Sequence, residues 1–502
     1  MYPSCQKIKE DCFLSEKEEE ILKSPQAPII LLKAKKDFSV SPLVAPHNNS
    51  LGIMLPYTPL HHILLNDLNF PIVATSGNLS EEPIITDEKI AIEKLNDLCD
   101  GFLFHNRKIE RHIDDSIVRV MGGKEVVLRR ARGYVPYPFI IEKKNNSIGF
   151  GGFLKANLSF QKGNNIFVSQ HIGDLETESS YEVYKKIYKD FKNLFKIKPK
   201  IGSHDLHPDF PSTNFANSQK LKLLPLQHHI AHLFSCMEDN GIKPPLFAAI
   251  WDGTGLGEDK NIWGGEFFTL DNCFKIKRFA YFQPFKLIGG EAAIKEPKRI
   301  ALSLLYHILG DGIYRYFDLP PLKNFKEEEI KTLLNMLKKN INCPLTTSAG
   351  RLFDGVSSLL GIRHKISYEG QAAMELEFAI REKREEKHYN FKLKRDENGG
   401  SIYIISWEDM VLSILDDFIN KKPVGVISYK FHLTMAEIIK EIAKISKKEK
   451  VVLSGGCFQN LFLLEKTKEI LEEDGFFVYF NQRIPPNDGG ISFGQVVALN
   501  YL

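Results

Sequence analysis

His228 and His232 stand four residues apart in the segment QHHIAHLFSCMEDNG, which Gly241 closes as a helix stop. At helical spacing both imidazoles project from one face, as two ligands of a single metal ion must. Fifteen histidines in 502 residues give roughly 0.4 such pairs by chance, so the pair alone favours a core or capping role. Farther on, Ala248-Ala-Ile-Trp-Asp252-Gly-Thr-Gly255-Leu-Gly257 runs an apolar strand into an acidic, glycine-rich turn, with Ile262-Trp-Gly-Gly-Glu-Phe267 after it. The pattern predicts a β-hairpin whose glycines let the backbone approach phosphates, while Asp252 can hold a cation or position a water. Val451-Val-Leu-Ser-Gly455-Gly456-Cys-Phe-Gln-Asn460 repeats the strand-to-glycine form before a helix, which suits a nucleotide on backbone amides at a helix start. Asp488 offers a further carboxylate in the rigid Pro485-Pro-Asn-Asp-Gly-Gly490 loop. Each segment alone is compatible with an ordinary turn; together they point to a site for a metal and a nucleotide.

Two other groups have simpler readings. His204, Asp205, His207 and Asp209 in SHDLHPDF have a metal-like composition, but a strand-exit position favours a structural hydrogen-bonding role. Cys457 lies inside a glycine loop, where a small packed residue is a simpler reading than a nucleophile.

Several elements must position these residues. A chain of 502 residues that is 43% hydrophobic predicts two to four globular domains at roughly 100–200 residues each. Lys+Arg 66 against Asp+Glu 63 leaves +3, which argues against nucleic acid as the main partner, because phosphate binding needs a basic excess. No apolar run approaches the roughly 18 residues of a bilayer span, and MYPSCQKIKEDCF lacks a secretory pattern, so a soluble cytoplasmic chain is expected. The seven cysteines are scattered, odd in number and without a CxxC pair, predicting reduced thiols rather than disulfides or a sulfur-rich zinc site.

Charge divides the front of the chain: residues 51–100 carry a net −6 and residues 101–147 a net +5. The polar run 142–147 follows the proline-rich YVPYPF segment and reads as a linker, placing the main boundary near 140–148. Before it, β-branched runs at 28–33, 71–75, 116–120 and 125–128 alternate with helix-like stretches at 58–68 and 87–98, an α/β pattern. After it, the apolar runs 148–153, 247–251 and 451–453 each lead into a glycine-rich loop, and Tyr184, Ile187, Tyr188, Phe191, Leu194 and Phe195 share one helix face. Residues 381–400 are charge-dense and read as a solvated helix end and loop.

Taken in order, QHHIAH, DGTGLG with WGGEF, TSAGRLFDGV, YEGQAA, SGGCFQN and PPNDGGIS resemble the carbamoyl-transfer domain of the HypF family of hydrogenase-maturation proteins. That domain is similar to tRNA threonylcarbamoyl-transfer enzymes and has the actin/hexokinase/Hsp70-like ATPase fold. MLPYTPLHHILL, TSGNLSEEPI, HNRKIERHIDDSIVR and LRRARGYVP resemble the family's YrdC-like domain. The resemblance implies an α/β chain: a partial YrdC-like domain over residues 1–141, then a two-lobed actin-like ATPase fold over 148–502. It implies one divalent metal, iron or zinc, on His228, His232, Asp252 and Asp488. It also implies a nucleotide site drawn from Gly253, Gly255, Gly455, Gly456 and Asn460, with Asp354 in the GRLFDGV loop holding the nucleotide sugar. In the first domain Ser76 and Asn78 match the family's nucleotide-contacting Ser-x-Asn, and Arg129 and Arg132 its basic tail; Ser76 and Asn78 also suit a plain turn after a strand.

The activity so implied begins with carbamoyl phosphate yielding carbamate. ATP, with magnesium, converts carbamate to carbamoyl-adenylate, and the carbamoyl group passes to the C-terminal cysteine of HypE, the precursor of a cyanide ligand in nickel–iron hydrogenase. Family members usually begin with an acylphosphatase-like domain and a CxxC-rich zinc region, which these residues do not match. The chain is therefore expected to start inside the YrdC-like domain with an incomplete activation half, and a separate acylphosphatase/zinc-finger chain is a candidate partner. Glu291, in IGGEAAIKEP, replaces the family's more frequent Asp. Three alternatives remain: a catalytically incomplete HypE-binding or split-subunit module, a tRNA threonylcarbamoyl-type enzyme, and a small-molecule O-carbamoyltransferase. The second would want a basic RNA-binding face, and in proteins of the third type the two domains occur in the opposite order.

Overall fold

The computed structural model describes residues 1–79, 82–381, 386–396 and 402–502. Ser80 and Glu81 of TSGNLSEEPI lie outside the described residues, as do 382–385 and 397–401 of the charge-dense stretch. The chain forms two compact units, Met1–Asn240 with Asn481–Leu502, and Gly241–Phe480.

The first unit contains two four-stranded sheets. In one, Ile29–Lys33 pairs antiparallel with Ser50–Ile53 and parallel with Ile117–Met121, which in turn pairs antiparallel with Lys124–Arg129. Ile30, Leu32, Val118 and Val127 turn inward, as period-two alternation requires. The helices Pro59–Leu68 and Glu88–Leu95 form where helical stretches are predicted, capped by Thr58 and Asp87. The run 71–75, predicted as a strand, is not one: Ile72 exchanges backbone hydrogen bonds with Met1, and no ladder forms there among the described residues. β-Branched content makes a strand only where a partner edge is available.

The second sheet has the order Ser159–Val168, Phe139–Gly149, Ile201–Asp205, Lys222–Leu226. The run 142–147, predicted as a linker, is part of the strand Phe139–Gly149. Asn145, Asn146 and Ser147 pair with Gly163, Lys162 and Gln161 after a register shift; polar side chains do not prevent a ladder, because the ladder uses only the backbone. Helix Glu178–Leu194 lays Tyr184, Ile187, Tyr188 and Phe191 against Phe150 and Phe160. Of the other residues predicted on this face, Leu194 is exposed and Phe195 is partly buried against the same cluster. The helix His228–Asp239 packs on Ile491–Ala498 at a glycine: a Cβ at Gly494 would stand 1.9 Å from the Ala231 carbonyl oxygen.

The second unit is organised on a sheet that has nine strands among the described residues. The predicted hairpin is present, Leu246–Leu256 antiparallel to Ile262–Leu270, with Lys450–Ser454 parallel to the first of these strands on its other side. Two expectations need correction. GRLFDGV is not a loop but part of helix Ala349–Leu359, which Ser348 caps by accepting from the Arg351 amide and whose Leu352, Phe353, Val356 and Leu359 are buried. Residues 392–395, read as solvated loop, form the strand Lys392–Arg395 paired with Tyr403–Ser406. No helix among the described residues is long and apolar enough to cross a membrane.

Candidate metal centre and nucleotide loops

His228 opens its helix directly after Gln227, whose side chain caps the amides of His229 and Ile230. One turn on, His232 follows with its ring centroid 5.1 Å from that of His228. Asp488 begins the short 3-10 turn Asp488–Gly490, and its Oδ1 lies 3.6 Å from His228 Nε2 and 4.0 Å from His232 Nε2. The three prospective ligand atoms lie within 4.8 Å of one another. Both histidines are buried, and the Asp488 side chain is 14% exposed.

The turn carrying Asp488 is held from several directions. Asn487 accepts from the Gly489 amide and donates to the Leu128 carbonyl, and Asn157 donates to the Gly489 carbonyl at 2.7 Å. Behind His228, Asp205 Oδ2 stands 2.8 Å from Nδ1. Two imidazoles and a carboxylate converging in a buried place suit a first-row divalent cation such as iron or zinc.

Asp252 belongs to the second unit. Its Oδ1 accepts from the Gly253 amide at 2.7 Å, and its carbonyl accepts from Ser348 Oγ. Among the glycines around it, Gly455 is sterically required, and Gly253 and Gly456 stand close to polar side-chain ends. At Gly455, φ is +100° and a Cβ would stand 2.2 Å from the Trp251 carbonyl oxygen; at Gly456 it would stand 2.9 Å from Asp252 Oδ1. A Cβ at Gly253 would meet Arg351 Nη2 at 2.9 Å. Gly255 lies farther along the hairpin, opposite Trp263.

Arg351 pairs with Asp354 at 2.9 Å, both buried. Burial, opposed by Arg351, pushes the Asp354 carboxyl up to about 6. Asn460 caps helix Leu461–Glu473 by accepting from the Leu463 amide, and its Nδ2 donates to His432 Nε2 at 3.0 Å. His432 Nδ1 donates to the Ser428 carbonyl, and burial lowers this imidazole to about 4. The Asn460 side chain is therefore engaged in capping and in orienting a buried histidine. Arg351 and His432 were not singled out from sequence. Arg351 stands one helical turn from Asp354, a spacing that could have revealed it; His432, inside the helix Val424–Ser446, gave no such signal. Cys457 is partly buried and desolvation pushes its thiol well up, which suits a packed residue.

In the front sheet region the expected nucleotide contacts have different surroundings. Ser76 is exposed, and Asn78 Nδ2 donates to the carbonyls of Leu79 and Glu82, closing its own turn. Arg129 is partly exposed, 3.9 Å from Asp114. Arg132 is built into the fold: Nε donates to Asp115, Nη1 to the Gln26 carbonyl and Nη2 to the Ala27 carbonyl, while the guanidinium stacks 3.6 Å over Tyr57. Glu291, at the start of helix Glu291–Lys295, is exposed.

Three family profiles match the chain: one described as telomere recombination, for Sua5/YciO/YrdC proteins, over residues 1–131, the HypF Kae1-like domain over 142–239, and the second subdomain of the carbamoyltransferase Kae1-like domain over 248–495. Carbamoyltransferase HypF of Synechocystis is 38% identical over 99% of this chain and 66% of its own length. The HypF of Rhodobacter capsulatus is 35% identical over 95% and 63%. The chain thus spans just under two thirds of the length of these curated relatives. Among solved structures, full-length HypF in the phosphate- and nucleotide-bound form superposes with TM-score 0.94 at 38% identity, over 100% of this chain and 78% of that one. HypF of T. kodakarensis superposes with TM-score 0.90 at 30% identity, over 99% and 67%. With the YrdC-like and both Kae1-like profiles matched in succession and full-length HypF superposing over the whole chain, this chain belongs to the HypF carbamoyltransferase family.

Proposed function

We propose that this chain transfers a carbamoyl group in nickel–iron hydrogenase maturation, from carbamoyl-adenylate to the C-terminal cysteine of HypE. The observation that carries the reading is the buried convergence of His228, His232 and Asp488 in a member of the HypF family. We assign residues 1–141 to carbamoyl-adenylate formation and 148–502 to transfer. Asp252, whose Oδ1 is oriented by the Gly253 amide, is the proposed fourth ligand, for iron or zinc. A divalent cation held there supplies a Lewis acid for the carbamoyl carbonyl or its phosphate partner.

The chain's own residues supply the rest. Adenylation makes AMP the leaving group; the thiolate of HypE attacks the carbamoyl carbon, the bond to the phosphate oxygen breaks, and AMP departs. Gly253, Gly455 and Gly456 keep side chains out of the space beside Asp252, which suits a nucleotide against the backbone. Arg351 is the basic side chain we assign to the charge that develops on the departing phosphate. Asp354 is kept as the sugar contact. Ser76, Asn78 and Arg129 are kept as contacts for ATP, which enters with magnesium, in the activation half, and Arg132 as a residue that shapes that half.

The test mixes the purified chain with ATP, magnesium, carbamoyl phosphate and HypE, and seeks one carbamoyl group on the C-terminal cysteine of HypE by mass spectrometry. A parallel reaction supplies preformed carbamoyl-adenylate. Product only in the second reaction means a working transfer site behind an incomplete activation site. No product in either, with HypE shown competent, sinks the enzyme reading in favour of a HypE-binding module. One observation favours an additional polypeptide partner: Ile63, Phe70, Val73, Leu98 and Leu103 are each more than half exposed. A chain carrying the acylphosphatase-like and zinc-finger modules is the proposed partner for these side chains.

A further inference from the structure

We propose that Asp205 is a positioning residue for the metal centre, holding the His228 imidazole with its proton on Nδ1 so that Nε2 is the atom presented to the metal. The inference rests on the metal reading above and extends it by one residue.

Asp205 ends the strand Ile201–Asp205, which is paired on both sides, to Phe139–Gly149 and to Lys222–Leu226. Its carbonyl accepts from Thr213 Oγ1, and the His204 ring packs back onto the same oxygen, so the backbone that carries the carboxylate is fixed. Asp205 Oδ1 accepts from the His207 amide at 3.0 Å, which closes the strand exit, and Oδ2 faces His228 Nδ1 at 2.8 Å. Both side chains are buried, 1% and 3% exposed.

An ionised carboxylate has only acceptors, so the hydrogen in this contact belongs to the imidazole Nδ1. The other nitrogen then carries its lone pair outward, and it is Nε2 that lies 3.6 Å from Asp488 Oδ1. Outer partners that fix a ligating imidazole in this way typically contribute about 10–100-fold to metal affinity. Within SHDLHPDF it is thus Asp205 that acts on the site, through His228, while His207 contributes its backbone amide to the Asp205 carboxylate.

The experiment is a zinc titration of the full chain against a chromophoric chelator, for wild type, D205A, D205N and H228A, with unfolding curves recorded for each. Nitrogen-15 spectra of the metal-free wild type, assigned with H228A, report the His228 tautomer independently of any metal. The expected results are a Kd for zinc weakened about 10–100-fold in D205A, a smaller loss in D205N, whose amide oxygen accepts the same bond without the charge, and Nδ1 protonation in the wild type. Zinc affinity in D205A within about twofold of wild type, while H228A loses it, overturns the inference and leaves the metal reading standing. An Nε2-protonated His228 in the wild type also overturns it. Equal binding by wild type and H228A overturns the metal reading, and the inference with it. Should D205A fail to fold, D205N and the tautomer decide.

Discussion

Within the first unit, residues 59–113 and residues 139–239 place their apolar side chains in opposite ways. In the earlier segment, helix Pro59–Leu68 buries only Leu65, helix Glu88–Leu95 buries no residue, and Val73 and Leu103 are 69% and 80% exposed. In the later segment Phe150, Phe160 and Tyr184 are fully buried, and the Tyr184 hydroxyl donates to the Phe150 carbonyl. The candidate residues share these fates. Ser76 is exposed and Asn78 is held by its own turn, whereas His228 is oriented from a neighbouring strand through a buried carboxylate. A short helix without a buried face gains little from its own hydrogen bonds, so preorganisation is expected only where packing supplies it.

The largest expected effect separates the two kinds of site. H232A should lower transfer from preformed carbamoyl-adenylate by at least about 100-fold, because a catalytic metal has few protein ligands and losing one loosens the ion, while N78A should leave that half-reaction within about twofold. Equal losses would break the contrast. Amide exchange offers the next test. Protection in Pro59–Leu68 and Glu88–Leu95 should fall about 100-fold or more below that in Glu178–Leu194, since local opening free energies track buried contacts; equal protection in the absence of a partner would show that the exposed apolar face costs the fold nothing.

A smaller effect concerns packing alone. G494A puts a Cβ against the Ala231 carbonyl and should cost about 1–3 kcal/mol in urea unfolding, whereas G101A, with nothing within 4 Å of the added carbon, should stay within about 0.5 kcal/mol.

The smallest effect is a pH slope in the second unit. His432 is held neutral, its pKa lowered by burial to about 4, so the unfolded chain takes up the proton first. Stability is lost as pH falls from 6.5 towards 4, by roughly 2 kcal/mol at pH 5. Asp354 runs the other way. Its raised pKa of about 6 means that the folded state binds the proton first, returning roughly 1 kcal/mol by pH 5. D354N removes the compensating group and should steepen the loss between pH 7 and pH 5 by about that amount in denaturant midpoints. An unchanged slope would remove Asp354 from the account.

Local pattern carried much of the architecture. The His228–His232 spacing, the helix of Tyr184 and Phe191, the hairpin through Asp252 and the turn at Gly455 were legible because helix period, strand alternation and glycine steric freedom operate within a few residues. The failures have one cause. Residues 71–75 lack a partner ladder, 142–147 gained one, and GRLFDGV became a capped amphipathic helix; in each case the decision lay with neighbours or a cap that composition did not reveal.

The candidate site divides in the same way. Residue type and spacing alone pointed to two imidazoles on one helix face and to carboxylates on glycine turns. Only the tertiary structure brought Asp488 to within 4.0 Å of both rings from more than 250 positions away, set Asp205 behind His228, and occupied the Arg132 guanidinium with Asp115, Gln26 and Ala27. Spacing determines which way side chains leave one element. Which donors meet which acceptors is decided when distant elements pack and buried polar groups must find partners.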